Sequence, residues 1–437
     1  MREISKKQHL RRFLIHSRRN DNQVQCVTTK DIILLNKNTM LTLDKIYHAS
    51  YVLKDVVRRT ELIPAPYLNK KGNIFIKPEN LQLTGSFKVR GSYYKISQLS
   101  AEEKAKGVIA CSAGNHAQGV ALAATRNGIK STICLPDCAP ISKVEATRGY
   151  GAEICLVEGV YDDAYKRAIE LRDEMGYTFI HPFDDIDVIA GQGTIGLELI
   201  DQMKDVEVVV VPIGGGGLIS GVAFALKSLN PNIKVYGVQA AGAPSMKNSV
   251  EHKKIERLDS VSTIADGIAV KQPGENTFEF CSKYVDGIVT VTDDEVSSAI
   301  LSMLEHQKII TEGAGAVAAA AVMFDKVPVE GKNAICVVSG GNIDVNILDR
   351  VIKRGLFTSG RSALLKVELL DKPGQLVQVS KIIADLGGNV IGVHHERTNA
   401  NTGVTGCWIR IDLETRNFEH ISKIKTALID AGFRILD

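Results

Sequence analysis

The stretch Glu79-Asn80-Leu81-Gln82-Leu83-Thr84-Gly85-Ser86-Phe87-Lys88-Val89-Arg90-Gly91 decides how the rest of the chain is read. Ser86 is a favoured helix N-cap residue, and Val89, Tyr93, Ile96 and Leu99 follow it at helical spacing. The pattern predicts a helix with Lys88 in its first turn, near the positive end of the helix dipole. A cation is disfavoured there, so a neutral amine or imine is easier to keep. That is the environment a Schiff-base lysine needs. Most lysines are solvated surface groups; the surrounding sequence argues against that for Lys88.

Upstream, a helical pattern runs from Leu43 to Arg59 and must end before Pro64, and 73–77 reads as a short buried strand leading to the lysine segment. Downstream, short apolar strands alternate with helices. Strands are predicted over 108–111, 131–135, 154–157, 206–211 and 235–238, and helices over 116–125, 142–148, 161–175 and 194–202. This alternation marks parallel sheets with crossover helices. Two such layers suggest two α/β lobes with a cleft between them.

Three more motifs sit at strand ends. Ser112-Ala113-Gly114-Asn115-His116-Ala117-Gln118-Gly119 opens a helix, whose free amides suit an anion. A tight turn needing Gly and Asn for backbone reasons would look the same in isolation. Pro212-Ile213-Gly214-Gly215-Gly216-Gly217-Leu218 lets successive N–H groups converge on one oxyanion before a helix adds its dipole. The run lacks the Gly-Lys-Ser/Thr ending of a nucleoside-triphosphate loop, so a small monophosphate suits it better. Val337-Val338-Ser339-Gly340-Gly341-Asn342 closes another strand, and Ser339 there could equally cap a helix.

In this order, from about Met40 to the C-terminus, the motifs resemble those of the threonine/serine dehydratases, pyridoxal-phosphate enzymes of the tryptophan-synthase-β fold type. The resemblance implies an α/β catalytic domain of fold type II over 40–354, with a smaller lobe inserted after the first strands. It implies pyridoxal 5′-phosphate as cofactor, joined to Lys88 as an imine. Phe87, Asn115, Gly214, Gly215, Gly216, Gly217, Leu218 and Ser339 would surround it, with Asn115 at the 3′ oxygen and Ser339 opposite the pyridine nitrogen. A hydroxyl there leaves the ring a weaker electron sink, favouring prompt β-elimination. Ser112, Ala113, Gly114, Asn115 and His116 would receive the substrate carboxylate. The implied reaction is deamination of L-threonine, and of L-serine less well, to 2-oxobutanoate or pyruvate and ammonia, with Lys88 removing the α-proton. Ala265–Val270 and Glu312–Ala316 match segments lining the family's cleft, with no further role assigned; Glu312 could equally be a structural carboxylate.

Three alternatives are weighed. Serine racemases use a second serine where Ala113 stands, and that hydroxyl serves as the opposite-face base. Cysteine-synthase-type enzymes carry Thr-Gly-Asn-Thr-Gly where this chain has Ser112-Ala113-Gly114-Asn115-His116. A non-catalytic amino-acid sensor is the reading from another class, and the intact set of Lys88, Asn115, Gly214 to Gly217 and Ser339 argues against it.

After a Gly- and Ser-punctuated linker at 355–361, the pattern over 362–437 is β-α-β-β-α-β, which is ferredoxin-like. With Asp371-Lys372-Pro373-Gly374 at its first turn it resembles an ACT regulatory domain. That implies pairing with a second copy and an amino-acid effector such as isoleucine or valine; a dimerisation module without a ligand stays open. A homo-oligomer, dimer or tetramer, is expected.

Composition bounds the rest. The 437 residues are 44% hydrophobic and 24% charged, long enough for two or three domains. A net charge of +3 gives no argument for nucleic acid. The eight cysteines are scattered, and they read as reduced core residues of a cytosolic protein. Cys134 and Cys138 lack a second pair, and His394-His395 lacks a third ligand, so no metal is expected. Gln239 falls where racemase-like cation sites use a carboxylate. No apolar run reaches membrane-spanning length. Residues 1–39 hold nine Lys or Arg against three acids, and are read as a basic extension, disordered or upstream of a true start at Met40.

Overall fold

The computed structural model describes residues 40–397 and 406–436, so the basic segment 1–39 lies outside the described residues. The chain divides into two units, Met1–Leu41 and Thr42–Asp437. The second begins with α1 (Leu43–Leu53), β1 (Ile63–Pro64), β2 (Asn73–Pro78), α2 (Lys88–Ser97) and α3 (Ala101–Lys106). Then come β3 (Val108–Cys111), α4 (Asn115–Arg126), β4 (Ser131–Pro136), α5 (Ile141–Gly149), β5 (Glu153–Val157), α6 (Tyr161–Met175) and β6 (Thr178–Phe179). They are followed by α7 (Ile186–Gln202), β7 (Val208–Pro212), α8 (Gly217–Leu229), β8 (Lys234–Ala240), α9 (Ser245–Glu251), α10 (Glu275–Tyr284) and β9 (Gly287–Val291). The last α/β elements are α11 (Asp293–Gln307), α12 (Gly313–Met323), β10 (Asn333–Val338) and α13 (Val345–Thr358).

Two sheets carry the α/β part. The larger has six strands in the order β1-β2-β10-β7-β8-β9, parallel except for the edge pair β1–β2. The smaller has four parallel strands in the order β5-β4-β3-β6. The chain leaves the large sheet after β2, builds the small one, and returns at β7, so the smaller lobe is an insertion. Strands β3, β4, β7 and β10 are almost wholly buried, as strands covered on both faces must be.

The last sheet comprises β11 (Ser362–Leu370), β12 (Asn389–Glu396), β13 (Gly406–Glu414) and β14 (Arg434–Leu436), with α14 (Gln375–Asp385) and α15 (Phe418–Asp430) packed on it. Its order β12-β13-β11-β14 is antiparallel throughout, which is the ferredoxin-like arrangement.

Four expectations need correction. The helix expected to reach Arg59 ends at Leu53. Both backbone groups of Arg58 are held by the Gln82 side chain, at 2.8 and 2.7 Å, which draws the chain out of the helix. The helix expected from Thr194 begins at Ile186. The segment read as a linker is helical to Thr358, because Gly355 serves close packing: a Cβ there would lie 2.5 Å from Leu301. Finally, Cys138 is exposed and Cys155 half-buried, so not every cysteine is a core residue.

Candidate active site

The site is built from strand ends. β2 delivers the chain to Lys88, the first residue of α2, as the helical spacing predicts. Ser86, however, is not its N-cap. Phe87 occupies that position without a side-chain bond, and the buried Ser86 Oγ has no partner among the described residues. Tertiary pairing overrides the local preference: Ser86 forms an antiparallel bridge with Gly340, while Phe87 N–H donates to Ser339 O at 3.1 Å and Gly341 N–H to Gly85 O at 2.8 Å. The lysine segment is thus laced to the Ser339 segment.

Behind Lys88, α2 is locked by charge and by close packing. Arg90, fully buried, forms a fork with Glu79 (2.8 Å for both bonds) and reaches Glu198 on α7 at 2.6 Å. Lys77 of β2 completes the cluster at 2.5 Å from Glu198. Burial works against these charges, and the partners outweigh it: Glu79 is held below the usual carboxylate range and Arg90 above the usual guanidinium range. Beside it, Gly91 faces Gly191, where a Cβ would lie 2.6 Å from Gly91 Cα, so the backbones of α2 and α7 touch.

The Lys88 amine donates to Pro182 O at 2.8 Å and lies 5.4 Å from the Phe87 ring centroid. Burial lowers its pKa to about 8, with Glu312 opposing the shift. The next residue, Phe183, packs against the glycine loop. A Cβ would fall 2.4 Å from the Phe183 ring at Gly215, 2.6 Å from Met246 Cε at Gly216, 2.8 Å from Phe183 O at Gly217 and 3.0 Å from Ile268 Cα at Gly214. A side chain would collide at Gly215, Gly216 and Gly217 and crowd Ile268 at Gly214, and Gly216 has a φ of +100° that side chains resist. Leu218 follows in the first turn of α8, whose leading amides have no partners within the helix. Bare amides at a helix start, walled by side chains, suit a small phosphate.

Across the cleft, Ser112 to Asn115 are half-buried at the start of α4, and the space where a Cβ of Gly114 would stand is open. Ser112 Oγ accepts from Gly114 N–H at 3.2 Å. The His116 side chain points the other way: its Nε2 is 2.8 Å from Ile180 O, and burial, then Lys88, lowers its pKa to about 3. His116 can therefore offer the cleft its backbone amide and not its ring.

Asn115 is the hub. Its Nδ2 donates to Glu312 Oε1 at 2.6 Å, and its Oδ1 accepts from Asn342 Nδ2 at 2.7 Å. Burial, then Asp266, raises the Glu312 carboxyl to about 7. Asp266 in turn pairs at 2.6 Å with Lys143 of α5, so an ion pair joins the smaller lobe to the larger. Ser339, almost fully buried, donates to Ala314 O at 3.2 Å. The fold gathers all four motifs. Glu312 and Asn342 lay inside quoted motifs without an assigned role; Pro182 and Phe183 carried no local signal, since only the tertiary fold brings them to Lys88. Among the described residues no group of three or more His, Cys, Asp or Glu could hold a metal ion, and no helix is long and apolar enough to cross a membrane.

An amine of lowered pKa beside a phosphate-sized glycine cradle, between two parallel-sheet lobes, defines a pyridoxal-phosphate enzyme of fold type II. The chain belongs to that family: residues 53–340 match the model for pyridoxal-phosphate dependent enzymes. It is 49% identical to an L-threonine ammonia-lyase of Thermotoga maritima over 398 residues, 91% of this chain and 99% of the relative. It resembles the processed form of threonine deaminase isoform 2 from Solanum lycopersicum (TM-score 0.68, 40% identity, 72% of this chain and 89% of the other). Maize serine racemase superposes equally well (TM-score 0.68, 34% identity, 73% and 98%). Overall shape therefore does not separate lyase from racemase, and the site residues must.

Proposed function

We propose that this chain deaminates L-threonine, and L-serine less well, yielding 2-oxobutanoate or pyruvate and ammonia. The observation that carries the reading is the 2.8 Å placement of the Lys88 amine on Pro182 O, one residue from the Phe183 ring that walls the glycine cradle, in a chain 49% identical to a threonine ammonia-lyase. Bound pyridoxal phosphate supplies an electron sink that acidifies the α-C–H of an amino acid joined to it. Gly214 to Gly217 and Leu218 would hold its phosphate with backbone amides. Asn115 offers a carboxamide and Ser339 a hydroxyl to its ring, and Phe87 lines the pocket. Lys88 would anchor the cofactor, and its Nζ would take the α-proton of the substrate. Burial of Lys88 lowers its pKa and so favours the neutral amine that such a step needs. The segment from Ser112 to His116, where α4 begins, orients the substrate carboxylate. Ala113 carries no proton donor on the opposite face, so racemisation is slow.

The proposal extends to organisation. Residues 40–354 are catalytic, 355–361 connect, and 362–437 are a regulatory domain of ACT type. A cavity of about 340 Å³ at its first turn, lined by Asp371 to Leu376, His395 and Arg397, is the place for isoleucine or valine. Leu364, Leu370 and Ile391 are exposed on this sheet, which supports pairing with a second copy. The reading is of a homo-oligomer, dimer or tetramer, of the cytoplasm.

A keto-acid assay with threonine and serine, with and without isoleucine and valine, tests all of this. Turnover of threonine is expected, with little D-serine from L-serine. Deleting 362–437 should keep turnover and abolish any effector response. A purified, cofactor-supplemented protein that stays colourless, with no pyridoxyl group on Lys88 after hydride reduction, overturns the reading.

A further inference from the structure

Asn342, which the reading of the site does not place on the cofactor, starts a line of hydrogen bonds that runs through Asn115 to Glu312 and so joins three separate motifs. Asn342 Nδ2 donates twice, to Thr84 O at 2.8 Å and to Asn115 Oδ1 at 2.7 Å. Asn115 Nδ2 then donates to Glu312 Oε1 at 2.6 Å. The backbone around Asn342 is pinned from two sides, by the Gly341 N–H bond to Gly85 O at 2.8 Å and by Gly340 O, which accepts from Glu312 N–H at 3.1 Å. Space is reserved for the chain of contacts. A Cβ at Gly85 would lie 2.4 Å from Asn342 Oδ1, and one at Gly340 would lie 2.3 Å from Glu312 Oε1 and 3.1 Å from Asn115 Nδ2.

A carboxamide has a donor end and an acceptor end, and its two orientations fill nearly the same volume. Nothing in Asn115 itself selects between them. Asn342 does: both of its amide hydrogens are committed to oxygens, so the end of Asn115 facing it must be the oxygen. The NH2 end then faces Glu312, and one of its two hydrogens remains for a ligand in the cleft. We infer that Asn342 is a positioning residue that fixes the orientation of Asn115 and so sets which end of that amide meets the cofactor ring. The inference rests on the reading of Asn115 as a cofactor contact.

Reversing the polarity of the line tests it. In Asn342→Asp a carboxylate faces Asn115 and the amide must turn, which sets its oxygen against Glu312. In Asn342→Asp with Glu312→Gln, the turned amide regains a donor, because the introduced glutamine amide can supply one. Glu312→Gln alone keeps an acceptor for Asn115 and is the control. Three quantities are read: the thermal midpoint of the cofactor-free protein, the affinity for pyridoxal 5′-phosphate, and the absorbance maximum of the bound cofactor.

The single Asn342→Asp variant should lower the midpoint, weaken cofactor binding roughly tenfold or more and move the absorbance maximum. The double variant should recover much of the midpoint while binding and absorbance stay perturbed. Glu312→Gln, which touches Asn115 and acts on Lys88, sets the reference in midpoint, affinity and absorbance against which the double variant is read. The loss of donation to Thr84 O is common to the single and double variants and cancels between them. If Asn342→Asp does not fold, Asn342→Ala against wild type gives the same affinity and absorbance comparison without the added charge. Wild-type affinity and absorbance in the Asn342 variants overturn the inference. So does recovery of binding together with the midpoint in the double variant, since that is the behaviour of a structural tie. A wild-type protein that binds no cofactor overturns the underlying reading of the site instead.

Discussion

The Lys88 amine donates to the carbonyl oxygen of Pro182 at 2.8 Å, and among the described residues no carboxylate bonds it directly. A carbonyl tolerates the neutral amine as well as the ammonium, so burial sets the balance and brings the pKa to about 8. A lysine lowered in this way makes the folded state bind fewer protons than the unfolded one between its folded and ordinary pKa values. Stability should therefore rise with pH from about 8 to about 10.5. Lys88→Met removes the charge. Cofactor-free Lys88→Met should melt higher than wild type at pH 7, and the gap should narrow as pH approaches 10. Parallel melting curves across that range would show that the amine is not desolvated. The same variant should be colourless with added cofactor and inactive.

Glu312 gives the opposite sign. Its carboxyl is raised to about 7, so the folded state holds a proton that the unfolded state releases. The resulting stability is fully present below the ordinary glutamate pKa and is lost as pH rises through 7, about 3 kcal/mol across the window at most. Glu312→Gln should flatten that slope, with a larger gain in thermal midpoint over wild type at pH 8 than at pH 5. An equal gain at both pH values would mean the carboxyl is solvated.

The chemistry that is local in sequence was legible, and the chemistry that is not local was missed. Lys88 and Gly214 to Gly217 declare themselves because strand, turn and helix follow one another within a few residues. Ser86 misled because its pairing with Gly340 lies far down the chain and outranks a capping preference worth about 1 kcal/mol. The first half of α7 was invisible because Gly191 and Gly193 lower helix propensity, while the structure uses Gly191 for contact with α2. Gly355 read as a linker for the same reason. A glycine chosen for close approach and one chosen for flexibility look alike in a sequence. The line from Asn342 through Asn115 to Glu312 joins three separate motifs, and only the folded chain reveals which of their polar atoms meet.

Arg90 should matter to folding rather than to chemistry. Its guanidinium is fully buried between Glu79 and Glu198. Arg90→Met leaves Glu79 buried with its closest cation gone, a change that typically costs about 3–5 kcal/mol. The thermal midpoint should drop. Lowering pH should recover part of the loss, since a Glu79 without its partner would be raised in pKa and could take up a proton. In the wild type Glu79 is depressed instead, so its contribution is present above its ordinary pKa and is lost on acidification. A variant as stable as wild type at pH 7 would show that the cluster is replaceable by apolar packing.

Gly215 and Phe183 offer a test of the phosphate cradle that separates shape from backbone strain. An alanine Cβ at Gly215 would lie 2.4 Å from the Phe183 ring, so the ring or the loop must move. Overpacking of this kind costs about 1–3 kcal/mol, and displaced amides no longer converge on one anion. Gly215→Ala should therefore lose about tenfold or more in cofactor affinity. Gly215→Ala with Phe183→Ala removes the obstacle. Gly215 has no positive φ, unlike Gly216, so an alanine there is not strained once the ring is gone. Affinity should return towards wild type in the double variant, measured by titration of the bound-cofactor absorbance. Gly216→Ala paired with Met246→Ala, which removes the nearest side chain there, should not recover, because Thr277 Cβ at 2.8 Å and a φ of +100° remain costly. Recovery at Gly216, or none at Gly215, would place the phosphate-binding determinant elsewhere than in the convergence of these amides.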